Sequence, residues 1–179
     1  VSVIKEYTHP ISSILDLSLE ALCVEINTRK KNPWKMPISI KKIVEKLLTV
    51  IPDDSGKKAN LFASTGPQEP SNGGVMLSGH TDVVPIDGQY WTRPAFTCTE
   101  EDGRLYGRGT ADMKGFCAAA IASFVAASRL PLRSPLHLAL SHDEEIGCIG
   151  VRSMIEMMAK APFRPAMCIV GEPTQMGLG

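Results

Sequence analysis

The sequence predicts an α/β fold in which a mixed, largely parallel sheet is flanked by helices. From residue 75 onward, short apolar segments of strand length alternate with longer segments of helical character, which is typical of sheets with parallel strands. Acidic residues and one histidine directly follow the apolar segments, as expected for a site at the carboxyl ends of such strands. The 179 residues suffice for one domain with its own core.

The first 74 residues predict two helices and one short strand. Residues 11–26 are predicted to form an amphipathic helix, because apolar residues recur there at near-helical spacing. A second helix is predicted to start at Ser39, a favourable capping residue, and to end at the turn predicted at residues 52–56. Its buried stripe comprises Ile40, Ile43, Val44, Leu47 and Leu48. Residues 60–63 are predicted to be a short strand.

The remaining residues carry the clearest alternation of strands and helices. Strands are predicted at 75–78, 103–107, 136–141 and 167–171, and helices at 115–128 and 150–160. In open sheets of this type, ligands bind beyond the carboxyl ends of the strands. Four candidate site residues fall there: His80, Glu144, Glu145 and Glu172.

Composition argues against two classes of partner. Lys plus Arg and Asp plus Glu both number 19, so the formal net charge is zero and gives no support for binding to nucleic acid or an anionic membrane. No apolar run approaches the roughly 20 residues of a membrane span. The cysteines are odd in number and widely spaced, which predicts buried, reduced thiols in a cytoplasmic protein. They are Cys23, Cys98, Cys117, Cys148 and Cys168.

The segment Ser78–Pro85, with sequence SGHTDVVP, follows a short apolar run. A histidine nitrogen is a suitable zinc ligand. Because residues i and i+2 lie on the same side of an extended segment, Asp82 is placed to accept a hydrogen bond from the other ring nitrogen of His80. Taken alone, the segment fits a polar loop after a strand equally well.

Asp112 lies in the glycine-rich segment Gly107–Gly115, directly before a predicted helix. Glycines allow close backbone approach there, so the carboxylate is a candidate bridge between two metal ions. Taken alone, an ordinary helix cap is the better interpretation, since aspartate favours that position.

Glu144 and Glu145 are adjacent at the end of a predicted strand, and their side chains point in different directions. One is a candidate metal ligand, and the other is a candidate general base acting on water. The alternative is an acidic, solvated loop. Glu172 follows another apolar run and is a fourth candidate carboxylate, although a lone glutamate after a strand also meets solvent in many proteins.

The other histidines are weaker candidates. His137 lies inside an apolar strand, which favours a core histidine with a satisfied hydrogen bond. His142 is nearer the predicted site and is a weak candidate for substrate contact. No G-x-S-x-G motif occurs, so serine hydrolysis has no support.

Four motifs in order resemble those of the dinuclear-zinc amidohydrolase and peptidase family. They are SGHTDVVP at 78–85, GRGTADMKG at 107–115, DEEIGC at 143–148 and GEPT at 171–174. The resemblance covers roughly residues 57–176, and the four motifs together are highly specific.

This resemblance implies the following roles. His80 and Glu172 hold one zinc ion, Asp112 bridges two ions, and Glu145 holds the second. Asp82 orients His80, and Glu144 acts as general base and then as general acid. The catalytic residues are therefore Asp82 and Glu144, and the metal ligands are His80, Asp112, Glu145 and Glu172. The peptide bond after Asp112 is expected to be cis.

The resemblance also implies a substrate and an assembly. The reaction expected is removal of the acetyl group of N2-acetyl-L-ornithine in arginine biosynthesis, with two zinc ions and with cobalt as a substitute. One alternative is hydrolysis of succinyl-diaminopimelate or another N-acyl amino acid. Another alternative is a catalytically incomplete zinc-binding or assembly module.

Residues 1–179 are expected to be the N-terminal part of the catalytic domain of a homodimeric enzyme. The lid or dimerisation domain and the C-terminal part of the catalytic domain are expected to lie outside this chain, and the chain alone is expected to lose most of the catalytic activity.

Overall fold

The computed structural model describes residues 48–69 and 71–174. Within these residues the chain forms seven strands and two helices. They are β1 (Leu48–Pro52), β2 (Ala59–Thr65), β3 (Val75–His80), β4 (Thr99–Glu101), β5 (Arg104–Tyr106), α1 (Lys114–Ala127), β6 (Leu136–Ser141), α2 (Arg152–Lys160) and β7 (Met167–Val170). Neither helix is long and apolar enough to cross a membrane. The helix predicted over residues 11–26 and most of the second predicted helix lie outside the described residues.

The prediction that the second helix extends to Leu48 and the turn after it is wrong, because residues 48–52 form strand β1. This segment pairs antiparallel with β2. The turn between the strands is closed by Asp53, whose Oδ1 accepts the backbone N–H groups of Lys57 and Lys58 at 3.0 and 3.1 Å. The β-branched residues Thr49–Ile51 also favour a strand. Apolar spacing alone fits both structures in so short a segment.

The main sheet has five strands in the order β1-β2-β6-β3-β7. Strand β3 runs parallel to both β6 and β7, whereas β2 runs antiparallel to β6 and β1. The predicted mixed sheet is therefore confirmed, and so are the strands predicted at residues 60–63, 75–78, 136–141 and 167–171. Because β6, β3 and β7 are parallel, their carboxyl ends meet at one edge of the sheet.

The two helices cover opposite faces of this sheet. Alternate residues of a strand point to opposite faces. Accordingly, Leu61 and Ala63 of β2 pack in a cluster with α1, and Phe62 packs in a second cluster with Met154 of α2. The α1 cluster also includes Cys117, Ala120, Ile121 and Phe124 from the helix and Leu138 and Leu140 from β6. The packing of α1 on the sheet fixes the helix beside β3 and so positions the segment that precedes the helix.

The prediction of buried thiols holds for only one of the described cysteines. Cys117 is buried in the α1 cluster, whereas Cys98, Cys148 and Cys168 are exposed. Cys168 lies in β7, all four residues of which are exposed. Strand β7 forms an edge of the sheet, and none of its residues belongs to the two core clusters that pack under the helices. An apolar strand sequence alone does not distinguish an edge from a centre.

Candidate metal centre

His80 is the last residue of β3, and only 2% of its side chain is exposed. Its Nδ1 lies 3.0 Å from the backbone carbonyl oxygen of Asp82. Since a carbonyl only accepts hydrogen bonds, Nδ1 carries the hydrogen in this arrangement. This tautomer leaves Nε2 as the atom through which the imidazole can bind a metal ion.

Three carboxylates converge on Nε2 of His80. Asp112 Oδ1 lies 3.5 Å from it, and Glu144 Oε2 and Glu172 Oε1 both lie 3.6 Å from it. They come from the segment before α1, the exit of β6 and the exit of β7. The sheet therefore collects at one point four groups that are up to 92 residues apart in the sequence.

Two groups of side chains have ligand atoms close enough to share an ion. One consists of His80, Asp112 and Glu172, and the other of His80, Glu144 and Glu145, with all ligand atoms of a group within 4.8 Å of one another. Two ligands of a tetrahedral zinc ion, each about 2.1 Å from it, lie about 3.4 Å apart. The 3.5–3.6 Å separations around Nε2 are close to this value, and imidazole with carboxylates is a suitable donor set. The residues present therefore fit a zinc ion.

Glu172 is positioned by tight packing behind it. A methyl group at Gly171 would lie 2.0 Å from Cγ of Phe116, so the α1 ring fills the space that any other side chain would need. The backbone N–H of Gly171 also donates to the Ser78 carbonyl at 3.2 Å, which continues the pairing of β7 with β3 beyond the strand. Glycine at 171 thus lets α1 and β7 approach closely and sets the position of the next residue.

Asp112 is positioned by the residue that follows it. Met113 is fully buried and adopts a left-handed φ of 65° as the N-cap of α1. The expected cis peptide bond after Asp112 is not present, since the described residues contain no cis peptide. Here the backbone changes direction through the φ angle of Met113. Asp112 is also not a helix cap, because no side chain caps the start of α1.

Asp82 has a more extensive role than the sequence suggested. Its carboxylate accepts the backbone N–H of Glu144 at 3.2 Å and that of Glu145 at 3.1 Å. Its Oδ1 is 3.4 Å from Nδ1 of His80, farther than its own carbonyl oxygen. The predicted hydrogen bond from His80 to Asp82 is therefore made to the backbone carbonyl and not to the carboxylate. The carboxylate instead holds the segment that carries the two glutamates.

The concentration of carboxylates affects Glu172 electrostatically. Burial raises the pKa of Glu172, and the neighbouring Asp112, Glu144 and Glu145 raise it further, while His80 has the opposite effect. Lys114 donates from Nζ to the Thr81 carbonyl at 2.7 Å, and desolvation lowers its pKa. The negative charges of Asp112, Glu144, Glu145 and Glu172 lie close together, and such an arrangement favours a bound proton or a bound cation between them.

The other two histidines of the described residues, His137 and His142, are separate from this cluster. His137 is fully buried, bonds to the Gly73 carbonyl through Nε2 at 3.0 Å and packs in a cluster of three rings with Phe62 and Phe163. The predicted core position is therefore confirmed. His142 is also buried, and its Nδ1 lies 3.0 Å from Asp143 Oδ2. The predicted substrate contact of His142 stays a prediction.

Sequence reasoning missed three residues that contact the candidate site or its loops. Lys114 fixes the Thr81 carbonyl, and Cys148 donates from Sγ to Glu144 Oε1 at 3.4 Å. Asn60 is fully buried and binds both ends of the segment that contains the glutamates. Lys114 and Cys148 lie within two of the four motifs, so their closeness in the sequence to Asp112 and Glu144 was a usable signal. A polar residue inside an apolar strand was the only signal for Asn60.

Comparison with known proteins agrees with the geometry. The model of the peptidase family M20/M25/M40 matches residues 76–179. The chain is 44% identical over 123 residues to the acetylornithine deacetylase of Klebsiella pneumoniae strain 342, covering 69% of this chain and 30% of that protein. Identity to the acetylornithine deacetylase of Salmonella arizonae is also 44%, over 119 residues, covering 66% of this chain and 30% of that protein. The chain thus spans about 30% of the length of these curated relatives.

Solved structures show the same fold at lower identity. The M20 family metallo-carboxypeptidase Sso-CP2 of Sulfolobus solfataricus superposes with a TM-score of 0.59 at 21% identity, covering 74% of this chain and 30% of its own. Human carnosine dipeptidase 1 superposes with a TM-score of 0.58 at 23% identity, and the superposition covers 89% of this chain and 38% of that chain. These structures support the fold alone, whereas the family match covers more than half of the chain and carries the site motifs. The chain belongs to the peptidase family M20/M25/M40.

Proposed function

We propose that residues 1–179 form the N-terminal part of the catalytic domain of a zinc-dependent hydrolase that removes the acetyl group of N2-acetyl-L-ornithine. The single observation that carries this proposal is the convergence of Asp112, Glu144 and Glu172 on Nε2 of His80 within 3.6 Å. The 44% identity to two acetylornithine deacetylases supports the choice of substrate. Zinc as the metal, cobalt as its substitute and a cytoplasmic homodimer are proposed from the family resemblance.

The ligands are proposed as two overlapping sets. His80, Asp112 and Glu172 hold the first ion, and Asp112 together with Glu145 contributes to the second. The chemistry that zinc supplies when bound is polarisation of the amide carbonyl and acidification of a water molecule. The hydrogen bond from Nδ1 to the Asp82 carbonyl orients the ring so that Nε2 is the ligand atom that faces the carboxylates.

Glu144 moves the proton. Its carboxylate is half-buried, and Oε2 faces Nε2 of His80 whereas Oε1 accepts a hydrogen bond from Cys148. As general base, Glu144 takes a proton from the attacking water. As general acid, it then donates that proton to the leaving amine nitrogen, so that one water and one amide give acetate and ornithine. Asp82 holds the backbone of Glu144 in place throughout.

The test is an assay of acetate release from N2-acetyl-L-ornithine, with added zinc, by the full natural protein that carries residues 1–179. We expect Glu144→Gln to lower kcat by roughly 100-fold or more, since general acid–base catalysis contributes about that much. It should leave zinc content unchanged. Glu156→Gln is the matched control, because Glu156 is an exposed acid on the outer surface of α2. Undiminished turnover in Glu144→Gln would remove this residue from the proposed role.

The same assay separates the alternatives. Turnover of succinyl-diaminopimelate in place of N2-acetyl-L-ornithine would replace the deacetylase with a desuccinylase. Stoichiometric zinc without turnover of either substrate would favour a non-catalytic zinc-binding module.

A further inference from the structure

Asn60 is a buried polar side chain that the proposed chemistry does not use. It lies in β2, and its exposed fraction is 0%. Its Oδ1 accepts the backbone N–H of His142 at 3.3 Å, and its Nδ2 donates to the Gly150 carbonyl at 2.7 Å and to Ser153 Oγ at 3.0 Å. Both ends of the amide are therefore satisfied, as a buried amide requires.

His142 and Gly150 are the first and last residues of a segment that we call the glutamate loop, residues 142–150. Glu144 and Glu145 lie within it. One side chain of an interior strand thus holds both ends of this loop. The ends are close together, since a methyl group at Gly150 would lie 2.0 Å from the His142 carbonyl oxygen. Bonding to both ends needs an acceptor and a donor on one planar group, which an amide provides and a carboxylate or an aliphatic side chain does not.

The loop is under conformational constraint between these ends. Asp143 and Cys148 both adopt a left-handed φ of 55°, which is unfavourable for residues other than glycine. The backbone N–H groups of Gly147 and Cys148 both donate to the Glu144 carbonyl at 2.9 Å. Such a turn persists only where its surroundings hold it. Asn60 binds both ends of the loop, the Asp82 carboxylate accepts the N–H groups of Glu144 and Glu145, and Lys58 donates from Nζ to Asp143 Oδ1.

We propose that Asn60 is a positioning residue that orders the glutamate loop and so places Glu144 and Glu145 at the candidate metal centre. The proposal rests on the function proposed above for these two glutamates. Its structural part, that the loop depends on Asn60, is independent of any substrate. An aliphatic residue of similar size would fill the same space in β2, so the amide serves orientation and not volume.

The test compares Asn60→Leu and Asn60→Asp with Asn72→Leu in the full natural protein. Asn72 is a matched control because its Nδ2 also donates to a loop carbonyl, that of Arg133 at 2.9 Å, outside the glutamate loop. Hydrogen–deuterium exchange is followed by mass spectrometry in peptides covering residues 142–150 and α1. Zinc content, kcat and KM are measured on the same samples.

For both Asn60 variants we expect exchange in residues 142–150 to accelerate by about tenfold or more, with α1 unchanged. We expect kcat for the acetylated substrate to fall roughly 10- to 100-fold, with KM changed less than about twofold. Asn72→Leu should match the wild type. Unchanged exchange in the loop, or an equal acceleration in the loop and α1, overturns the proposal, because the second outcome means only general destabilisation.

If neither Asn60 variant folds, the wild-type protein supplies the measurement. The Nδ2 hydrogens of Asn60 should then exchange slowly in NMR spectra, and fast exchange overturns the proposal.

Failure of the proposed function is distinguishable from these results. A wild-type protein without hydrolase activity whose loop still depends on Asn60 contradicts the catalytic role of the glutamates but not the ordering of the loop.

Discussion

Nδ1 of His80 donates its hydrogen to the backbone carbonyl of Asp82 at 3.0 Å, and the carboxylate of Asp82 is left to bind elsewhere. That carboxylate accepts two consecutive backbone N–H groups of the glutamate loop. Asp82 therefore joins two strand exits: its main chain fixes the histidine of β3, and its side chain fixes the loop that follows β6.

The first prediction separates these two functions of Asp82. Asp82→Asn keeps the backbone carbonyl and replaces one acceptor oxygen by an NH2 group, which cannot accept an N–H. We expect zinc binding through His80 to be retained and kcat of the full protein to fall roughly 10- to 100-fold. Zinc content and steady-state kinetics measure the outcome. Loss of zinc as complete as in His80→Ala would show that the carboxylate, and not the carbonyl, orients the imidazole.

The second prediction concerns the close approach of α1 to β7. Gly171→Ala places a methyl group 2.0 Å from Phe116 Cγ, so the helix or the strand must move. We expect a loss of about 1–3 kcal/mol in the free energy of unfolding, as is usual for overpacking. Urea denaturation measures it, and Phe116→Ala is the control. The double variant should be more stable than the sum of the two single effects predicts, whereas additivity of the effects would contradict the packing argument.

The third prediction is a pH dependence due to His137. Burial holds the pKa of His137 below its ordinary value of 6.5, and the hydrogen bond to the Gly73 carbonyl offsets this in part. As the pH falls below about 6.5, the unfolded chain binds a proton that the folded chain does not bind until a lower pH. The contribution of His137 to stability is therefore constant above this range and decreases from about pH 6.5 down to the folded pKa.

Comparison with His137→Phe isolates this contribution, because all other titrating groups are common to both proteins. The phenyl ring retains the place of the imidazole in the three-ring cluster with Phe62 and Phe163. The free energy of unfolding, measured by urea denaturation between pH 8 and pH 5, should decrease more in the wild type than in the variant. Parallel pH profiles would mean that burial does not affect the protonation of His137.

The sequence was sufficient to predict the parallel strands and the site at their ends. Strands β3, β6 and β7 are short apolar runs, and the rule that ligands bind at the carboxyl ends of parallel strands places His80, Glu144 and Glu172 together. Each of these inferences uses only local pattern and one topological rule. Asp112 precedes α1 and does not end a strand, so only the family resemblance predicted its place in the site.

Features that depend on distant pairing were not predictable. Strand β1 has an apolar spacing that also fits a helix, and only its pairing with β2 decides between them. Asn60 reaches the glutamate loop because β2 pairs with β6 in the register that sets Leu61 opposite Leu140. The shorter bond from His80 to the Asp82 carbonyl depends on backbone torsion angles, which residue spacing does not specify.

The fourth prediction tests the central claim, that His80 is a ligand of a zinc centre, most directly. Zinc bound by residues 1–179 after dialysis is measured in the wild type, in His80→Ala and in His137→Gln, which alters the other fully buried histidine of the described residues. We expect His80→Ala to lose the bound zinc and His137→Gln to retain it, since only His80 is surrounded by carboxylates. Equal zinc content in His80→Ala and the wild type would contradict the assignment of the metal centre.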